Sequence, residues 1–449
     1  MSSLPLPRNL RTSIYDVAFY SLMVGLGECY ITAYAMALGL NERNAGLIAV
    51  VPVLIGSIVQ LLSPFAIRML RSRQRWIVIC AISQAFALVC IGLIGPTITS
   101  IAARQNYLFL AASIYWSAAL AAGPAWASWI THIVPVEHST KFFTVRTKTS
   151  QGFIFFGLVA SGAVLHFLAV GKSQVNVFAS LFMLAAIARL TSAFFIARQM
   201  PKVKASEQVI RELSEPVASK GLFQSTTAIP TILFMFFTNI AVQISAPFFT
   251  PYMLDEMKLD YVHYMILISS IFIGRIAAMH ICQHLVDRIG IKAIMIIGAI
   301  GVVPSAGLWI VSQNFWYALT LQILAGFAWG SHELGYTLML MSQLKEKDRG
   351  RVLTISNLMN SVGMIAGSSF GAWMLGSGNP NAEEYYVIFV LSSCARLLPL
   401  FMLPTMLTVQ LYPTKIFMKI LGVRVGSIGM AKPIVVQSNP PTSERETQA

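Results

Sequence analysis

Charge is scarce in this chain. Only 11% of its 449 residues are Asp, Glu, Lys or Arg, while 56% are hydrophobic. A soluble domain carries about 25% charged residues, so a water-soluble globular protein is excluded at the first step. Cysteine is sparse too. Cys29, Cys80, Cys90, Cys282 and Cys394 all fall in apolar stretches with no CxxC or other metal-ligand spacing. That usage implies neither a disulfide framework nor a zinc site. A phosphate-binding loop is lacking as well: Gly171-Lys172-Ser173 has its tail, but His166 stands where the earlier glycine is required. ATP-driven transport by this chain alone is therefore not expected. No nucleophile elbow, zinc box or pair of loop carboxylates occurs, and no enzymatic activity, metal or cofactor is expected. Residues 1–13 are polar, with no short apolar core before a cleavage site, so the first apolar span should itself serve as the insertion signal.

The long apolar stretches fill the space that charge leaves. A hydrocarbon core about 30 Å thick takes about 20 helical residues to cross. Segments of that length recur near 12–37, 44–68, 76–98, 107–133, 147–170, 175–199, 227–252, 261–285, 291–312, 315–342, 350–376 and 384–409. Most of the 32 basic residues crowd into alternate loops. Arg8 and Arg11 precede the first span, Arg68, Arg71, Arg73 and Arg75 follow the second, and Lys345, Lys347, Arg349 and Arg351 follow the tenth. The opposite loops hold only Arg43, Arg104, Lys172 and Lys258. Basic loops stay on the cytoplasmic side during insertion. The pattern predicts twelve transmembrane helices with both termini cytoplasmic. The net charge of +14 then reports topology, and no nucleic-acid partner is expected.

The basic loops repeat at an offset of roughly 210–220 residues, as parallel repeats would. Two six-helix halves are expected, at 1–199 and 227–411, joined by a cytoplasmic linker at 200–226 and followed by a partly disordered cytoplasmic tail at 412–449.

Three short motifs carry a family resemblance. Asp287-Arg288-Ile289-Gly290-Ile291-Lys292 resembles the D-R-x-G-x-K loop motif of the major facilitator superfamily, and Asp348-Arg349-Gly350-Arg351 resembles its R-G-R partner. Gly123-Pro124-Ala125-Trp126-Ala127-Ser128-Trp129 resembles a G-P-A-W-x-S-W signature of a poorly characterised bacterial branch of that superfamily. The resemblance implies an all-α membrane protein, its two halves related by a pseudo-two-fold axis, working by alternating access in a bacterial inner membrane. It also implies a gate on the cytoplasmic side, with Asp287, Arg288, Gly290, Arg349 and Arg351 forming a latch between the halves. The first-half copy of the loop has Arg68 and Arg71 where the family has Asp and Gly, so that latch is expected to be degenerate.

Ionisable groups at bilayer depth are costly and are functional candidates by default. Glu28 shares a helix face with Ser21, Gly25 and Thr32, and Glu333 lies beside His332, Trp329 and Tyr336. The resemblance places both carboxylates on cavity-lining helices, one in each half, where they suit proton or cation coupling. Asn239 and Gln243, one turn apart, together with Trp126, Tyr336, Arg275 and His332, are the candidate contacts for a solute. Arg275 could instead neutralise Glu333. Arg189 and Arg396 lie nearer span ends, where snorkelling to water is expected to suffice. Gly363, Gly367 and Gly371 recur every fourth residue and should form a helix-packing seam.

The reading is a monomeric secondary transporter that moves a small organic solute with a proton or cation, its surface bathed by the lipid bilayer. Few cavity charges and many aromatic residues favour an uncharged or amphipathic solute. An uncoupled facilitator, or a transporter-like assembly factor for another membrane complex, is the alternative.

Overall fold

A computed structural model describes residues 8–133, 136–168, 173–199, 229–342, 346–376 and 380–403, with the dipeptides 416–417 and 436–437. Nine of the described segments are long and apolar enough to cross a membrane. In chain order these are α1 (Leu10–Ala37), α2 (Glu42–Leu70), α3 (Arg73–Thr97), α5, α6 (Gln174–Arg198), α7 (Ile229–Glu256), α8 (Tyr261–Cys282), α9 (Arg288–Ile310) and α12 (Ala382–Met402). α5 is the helix Val136–Leu168, whose part Thr149–Leu168 is the span. Three further helices of 33, 28 and 30 residues fill the remaining places: α4 (Ile101–Ile133), α10 (Phe315–Ser342) and α11 (Glu346–Leu375). The architecture is the all-α membrane fold expected. Helix is the form an apolar chain takes in lipid, since each backbone N–H and C=O finds its partner within the segment. Two short strands, Ile416–Phe417 and Val436–Gln437, pair antiparallel. The expected linker and the rest of the expected tail lie outside the described residues.

Helix starts follow local chemistry. The side chains of Asn41, Ser72 and Asp260 accept hydrogen bonds from backbone N–H groups three residues on, and Asn381 with Glu384 forms a reciprocal capping box. Each satisfies donors that a helix N-terminus leaves open. At the start of α9 the helical path is broken at Gly290, whose backbone sits at φ 84°, ψ 162°. That region is open to glycine almost alone, and a side chain there costs on the order of 1–3 kcal/mol. A Cβ at 290 would meet nothing within 4 Å, so the strain lies wholly in the backbone. Gly290→Ala is therefore expected to lower stability by about that amount, read as a fall in unfolding midpoint of the detergent-purified protein. An unchanged midpoint would mean that the turn relaxes freely.

Small residues let the helices close on one another. A Cβ on Gly363, Gly367 or Gly371 would stand 2.9, 2.1 and 2.1 Å from the carbonyl oxygens of Phe236, Ile240 and Ile244, so α11 lies against the backbone of α7. This is the seam the glycine spacing predicts. The first half has its counterpart, where a Cβ on Gly25 of α1 would sit 2.5 Å from the Ile154 carbonyl oxygen of α5. Both first helices of the halves are also broken at matching places. α1 gives way to a 3-10 turn at Glu28–Tyr30 after Gly27, and α7 does so at Ala246–Phe248 around Pro247.

Contacts between the halves join α2 and α5 to α7, α8 and α11. Several lie toward the face away from the termini. A Cβ on Gly46 of α2 would run into the Phe248 ring, one on Gly162 of α5 would meet Met265 of α8, and Phe178 of α6 packs edge-on to Tyr261 with centroids 5.6 Å apart.

Candidate functional site

The breaks in α1 and α7 face a cavity between the halves that encloses about 200 Å³. Its wall draws on Glu28, Thr32 and Trp116 from the first half and on Gln243, Arg275, Gln322, Trp329, Met364 and Arg396 from the second, with Ser305 and Trp309 from the unwound end of α9. Trp116 and Trp329 stand 213 positions apart, within the repeat offset, and give each half one indole in the wall.

Glu28 is 3% exposed and accepts a hydrogen bond from the Tyr115 hydroxyl of α4 at 2.5 Å. The helix break explains its direction. Ser21 and Gly25, nominally on the same face, turn instead to α5, where Ser21 bonds Ser150 at 2.8 Å and Gly25 packs against Gly157. Past Gly27 the backbone tightens, and Glu28 and Thr32 turn toward the cavity. Across from it, Arg275 of α8 lines the wall and pairs with Glu333 of α10 at 3.4 Å, both nearly sealed from water. The pairing expected as an alternative for Arg275 is thus present, on a residue that also faces the cavity.

The other sequence candidates take different positions. Gln243 is in the wall. Asn239, one turn toward the termini, is buried beside it, with both amide atoms lacking a partner among the described residues. His332 points away from the cavity, packed against the Phe234 and Trp329 rings with centroids 5.7 and 5.8 Å distant and against the backbone at Gly298. Tyr336 bonds Ser356 of α11 at 2.6 Å and ties α10 to α11. Trp126 lies under Arg146, whose guanidinium carbon is 4.5 Å from its ring centroid. Of the expected latch, Arg288 and Gly290 are exposed, while the side chains of Asp287, Arg349 and Arg351 lie outside the described ones.

Two expectations are corrected. Arg189 and Arg396 do not snorkel to water; they are 3% and 4% exposed. Arg189 reaches Gln84 at 2.8 Å and Ser192 at 2.6 Å inside the first half. Arg396 turns inward because α12 stops being α-helical there, passing into a 3-10 turn at Leu398–Met402 that contains Pro399. Sequence reasoning also missed Tyr115 and the buried knot at the terminus end of the first half. There Asp16 pairs with Arg146 at 3.2 Å and accepts from Ser192 at 2.8 Å, joining α1, α5 and α6.

On the face away from the termini, Asp260 caps α8 and reaches His166 of α5 at 3.5 Å and His263 at 2.5 Å. The His166 contact crosses between the halves. Burial alone would push the Asp260 carboxyl up, but hydrogen bonds from the His263 backbone and ring, with both imidazoles nearby, hold it below the usual carboxylate range. A carboxylate lowered in the folded state contributes fully above its unfolded value, about 3.9, and loses that contribution as pH falls through the folded value. Asp260→Asn should therefore lower the unfolding midpoint slightly at pH 6 and leave it unchanged once the wild-type carboxyl is protonated. Equal differences at both pH values would sink this account of the clasp.

Comparison with known proteins agrees with this architecture. A family model described as Major Facilitator Superfamily matches residues 231–415. The putative glycerol-3-phosphate transporter 1 of Arabidopsis thaliana is 31% identical over 105 residues, a match that takes in 22% of this chain and 20% of that protein. Among solved structures, a bacterial homologue of the iron transporter ferroportin in an inward-facing state superposes with a TM-score of 0.69 at 13% identity, covering 90% of this chain and 100% of that one. The nucleoside transporter NupG gives 0.66 at 12% identity over 90% and 100% of the two chains. The xylose transporter XylE from E. coli, partially occluded and inward open, gives 0.62 at 15% identity over 87% and 97%. At such identities the likeness is one of fold, and the fold is that of the major facilitator transporters.

Proposed function

We propose that this chain is a secondary transporter of the major facilitator superfamily that carries a small organic solute through its central cavity, coupled to a proton on Glu28. The observation that carries the reading is Glu28 itself. It is a nearly sealed carboxylate at a helix break in the cavity wall, held by a tyrosine from the neighbouring helix. A charged side chain at that depth costs at least a few kcal/mol, which a merely structural hydrogen bond repays poorly. The Arg275–Glu333 pair faces it from the second half and is the second candidate coupling element. Gln243, Trp116 and Trp329 supply polar and aromatic contacts to the solute.

The basic loops support cytoplasmic termini, and the context we propose is a bacterial inner membrane with a monomeric carrier. Contacts between the halves near the far face then support an inward-facing reading. Alternating access requires those contacts to part while the terminus ends close, with Asp287, Arg288, Gly290, Arg349 and Arg351 as the latch on that side. The signature segment at 123–129 supports this role indirectly. Trp129 belongs with Leu10, Ile67 and Phe142 to the core that stiffens the terminus end of the first half.

The test is accumulation of labelled organic solutes in proteoliposomes with and without an inward-acid pH gradient. Concentrative uptake that collapses with a protonophore supports coupling. Saturable uptake indifferent to the gradient would make the chain a facilitator, and no uptake of any solute would remove the transporter reading.

A further inference from the structure

Arg396 has more hydrogen-bond donors than the described fold uses. Its Nη1 donates to the Val302 carbonyl and the Ser305 hydroxyl, both at 2.8 Å, and its Nη2 to the Ser245 hydroxyl at 3.2 Å. A guanidinium carries five N–H groups. The buried Nε has no partner among the described residues. All three acceptors are neutral, so they orient the group without cancelling its charge. The four ion pairs among the described residues engage Arg146, His166, His263 and Arg275, and none engages Arg396. A buried cation without a carboxylate is expensive, and this one stands in the cavity wall.

The surroundings explain how it is held there. α9 unwinds after Val302, just ahead of Pro304, and the Val302 carbonyl accepts from Arg396 as well as from the Ser305 hydroxyl at 2.8 Å. Ser245 stands just before the break in α7 and is itself bonded to Ser392 of α12 at 2.9 Å. Three helices thus fix the plane of the guanidinium. Nε and Nη2 share one edge of that plane, the edge suited to grip a carboxylate or phosphate with two parallel bonds.

We propose that Arg396, with Arg275 as its neighbour in the same wall, forms an anion subsite, and that the transported solute carries a carboxylate or phosphate group. This rests on the transporter reading and narrows its substrate class, away from the uncharged solute that composition favours. The charged side chains in the wall are Glu28, Arg275 and Arg396, and Arg275 is already matched by Glu333, so Arg396 is the wall cation to which no ion pair among the described residues is assigned.

The test uses the full-length protein in phosphatidylcholine vesicles, with fluorescence of the wall tryptophans Trp116, Trp309 and Trp329 as the readout. Lactate, succinate and glycerol phosphate are titrated against their uncharged counterparts lactamide, succinamide and glycerol. At least one anion should bind at least about tenfold tighter than its counterpart. Arg396→Lys, which keeps the charge and loses the fork, should weaken that anion about tenfold, and Arg396→Gln by about a hundredfold. If Arg396→Gln does not fold, the Lys variant and the wild-type anion-to-neutral ratio still decide. Equal binding of anions and their counterparts, or wild-type anion affinity in both variants, overturns the subsite. An anion effect seen only when phosphatidylglycerol is added would assign Arg396 to a lipid headgroup and overturn the solute assignment. Gradient-driven uptake of an uncharged solute with no anion binding would sink this inference and leave the transporter reading intact. Anion binding through Arg396 without uptake of anything would keep the anion subsite but sink the transporter reading and, with it, the assignment of that anion as a transported solute.

Discussion

Glu28→Gln is expected to abolish concentrative uptake while leaving exchange intact. One proton carried per solute across a gradient of two pH units is worth about 2.7 kcal/mol, enough for about a hundredfold accumulation. Glutamine keeps the shape of the side chain and still offers an oxygen to the Tyr115 hydroxyl that now donates to Glu28. It cannot take up or release the proton. Uptake down a concentration gradient and counterflow exchange should persist within a few-fold, whereas accumulation should fall to the equilibrium ratio. The split between these two readouts matters more than either alone, because a folding defect would lower both. Concentrative uptake by Glu28→Gln at the wild-type level would exclude this carboxylate as the coupling site.

The second large effect concerns the seam between α7 and α11. At Gly367 and Gly371 a methyl group would be driven to 2.1 Å from a backbone carbonyl oxygen, and at Gly363 to 2.9 Å. Backbone cannot swing aside as a flexible side chain can, so the helices must part by about 1 Å or the new group must clash. Overpacking of this kind costs about 1–3 kcal/mol, and more where nothing can yield. Gly367→Ala and Gly371→Ala should each destabilise the purified protein by at least that much, with Gly363→Ala milder. Gly123→Ala is the control. A Cβ at Gly123 meets nothing within 4 Å, and alanine is the better helix former by about 1 kcal/mol, so its midpoint should hold or rise. Thermal unfolding of the four variants, followed by loss of monodispersity on heating, gives the order. A flat series would mean that the two helices do not rest on each other.

The seam and the spans were legible in the sequence for the same reason. Both are periodic patterns in one dimension, and lipid leaves an apolar chain few alternatives to helix. Gly290 entered only as part of a loop motif, and the backbone geometry that calls for glycine there appears in the structure alone. Side-chain direction was not legible. Ser21, Gly25, Glu28 and Thr32 share one helical face only if α1 is unbroken, and the 3-10 turn after Gly27 separates them. Arg396 sits six residues before the end of its helix, and distance to the end suggested an easy exit to water. The loss of α-helical form ahead of Pro399 and the acceptors at Val302 and Ser305 decided otherwise. His332 and Glu333 are adjacent in sequence and point to different neighbours, one to α7 and α9, the other to α8. Tyr115 carried no signal at all, as one aromatic among many in the spans.

Alternating access between two halves is the claim on which the rest depends, and a reversible clamp tests it most directly. Gly162 of α5 and Met265 of α8 face each other across the halves, with a Cβ built at 162 standing 3.0 Å from the Met265 Cβ. That is close to the separation a disulfide needs. Gly162→Cys with Met265→Cys, in a chain whose five native cysteines are replaced, should cross-link on mild oxidation and hold that face shut. Transport in proteoliposomes should then be lost on oxidation and return on reduction. A fully cross-linked protein that still transports at the reduced rate would show that these halves need not separate there, and would contradict the mechanism proposed.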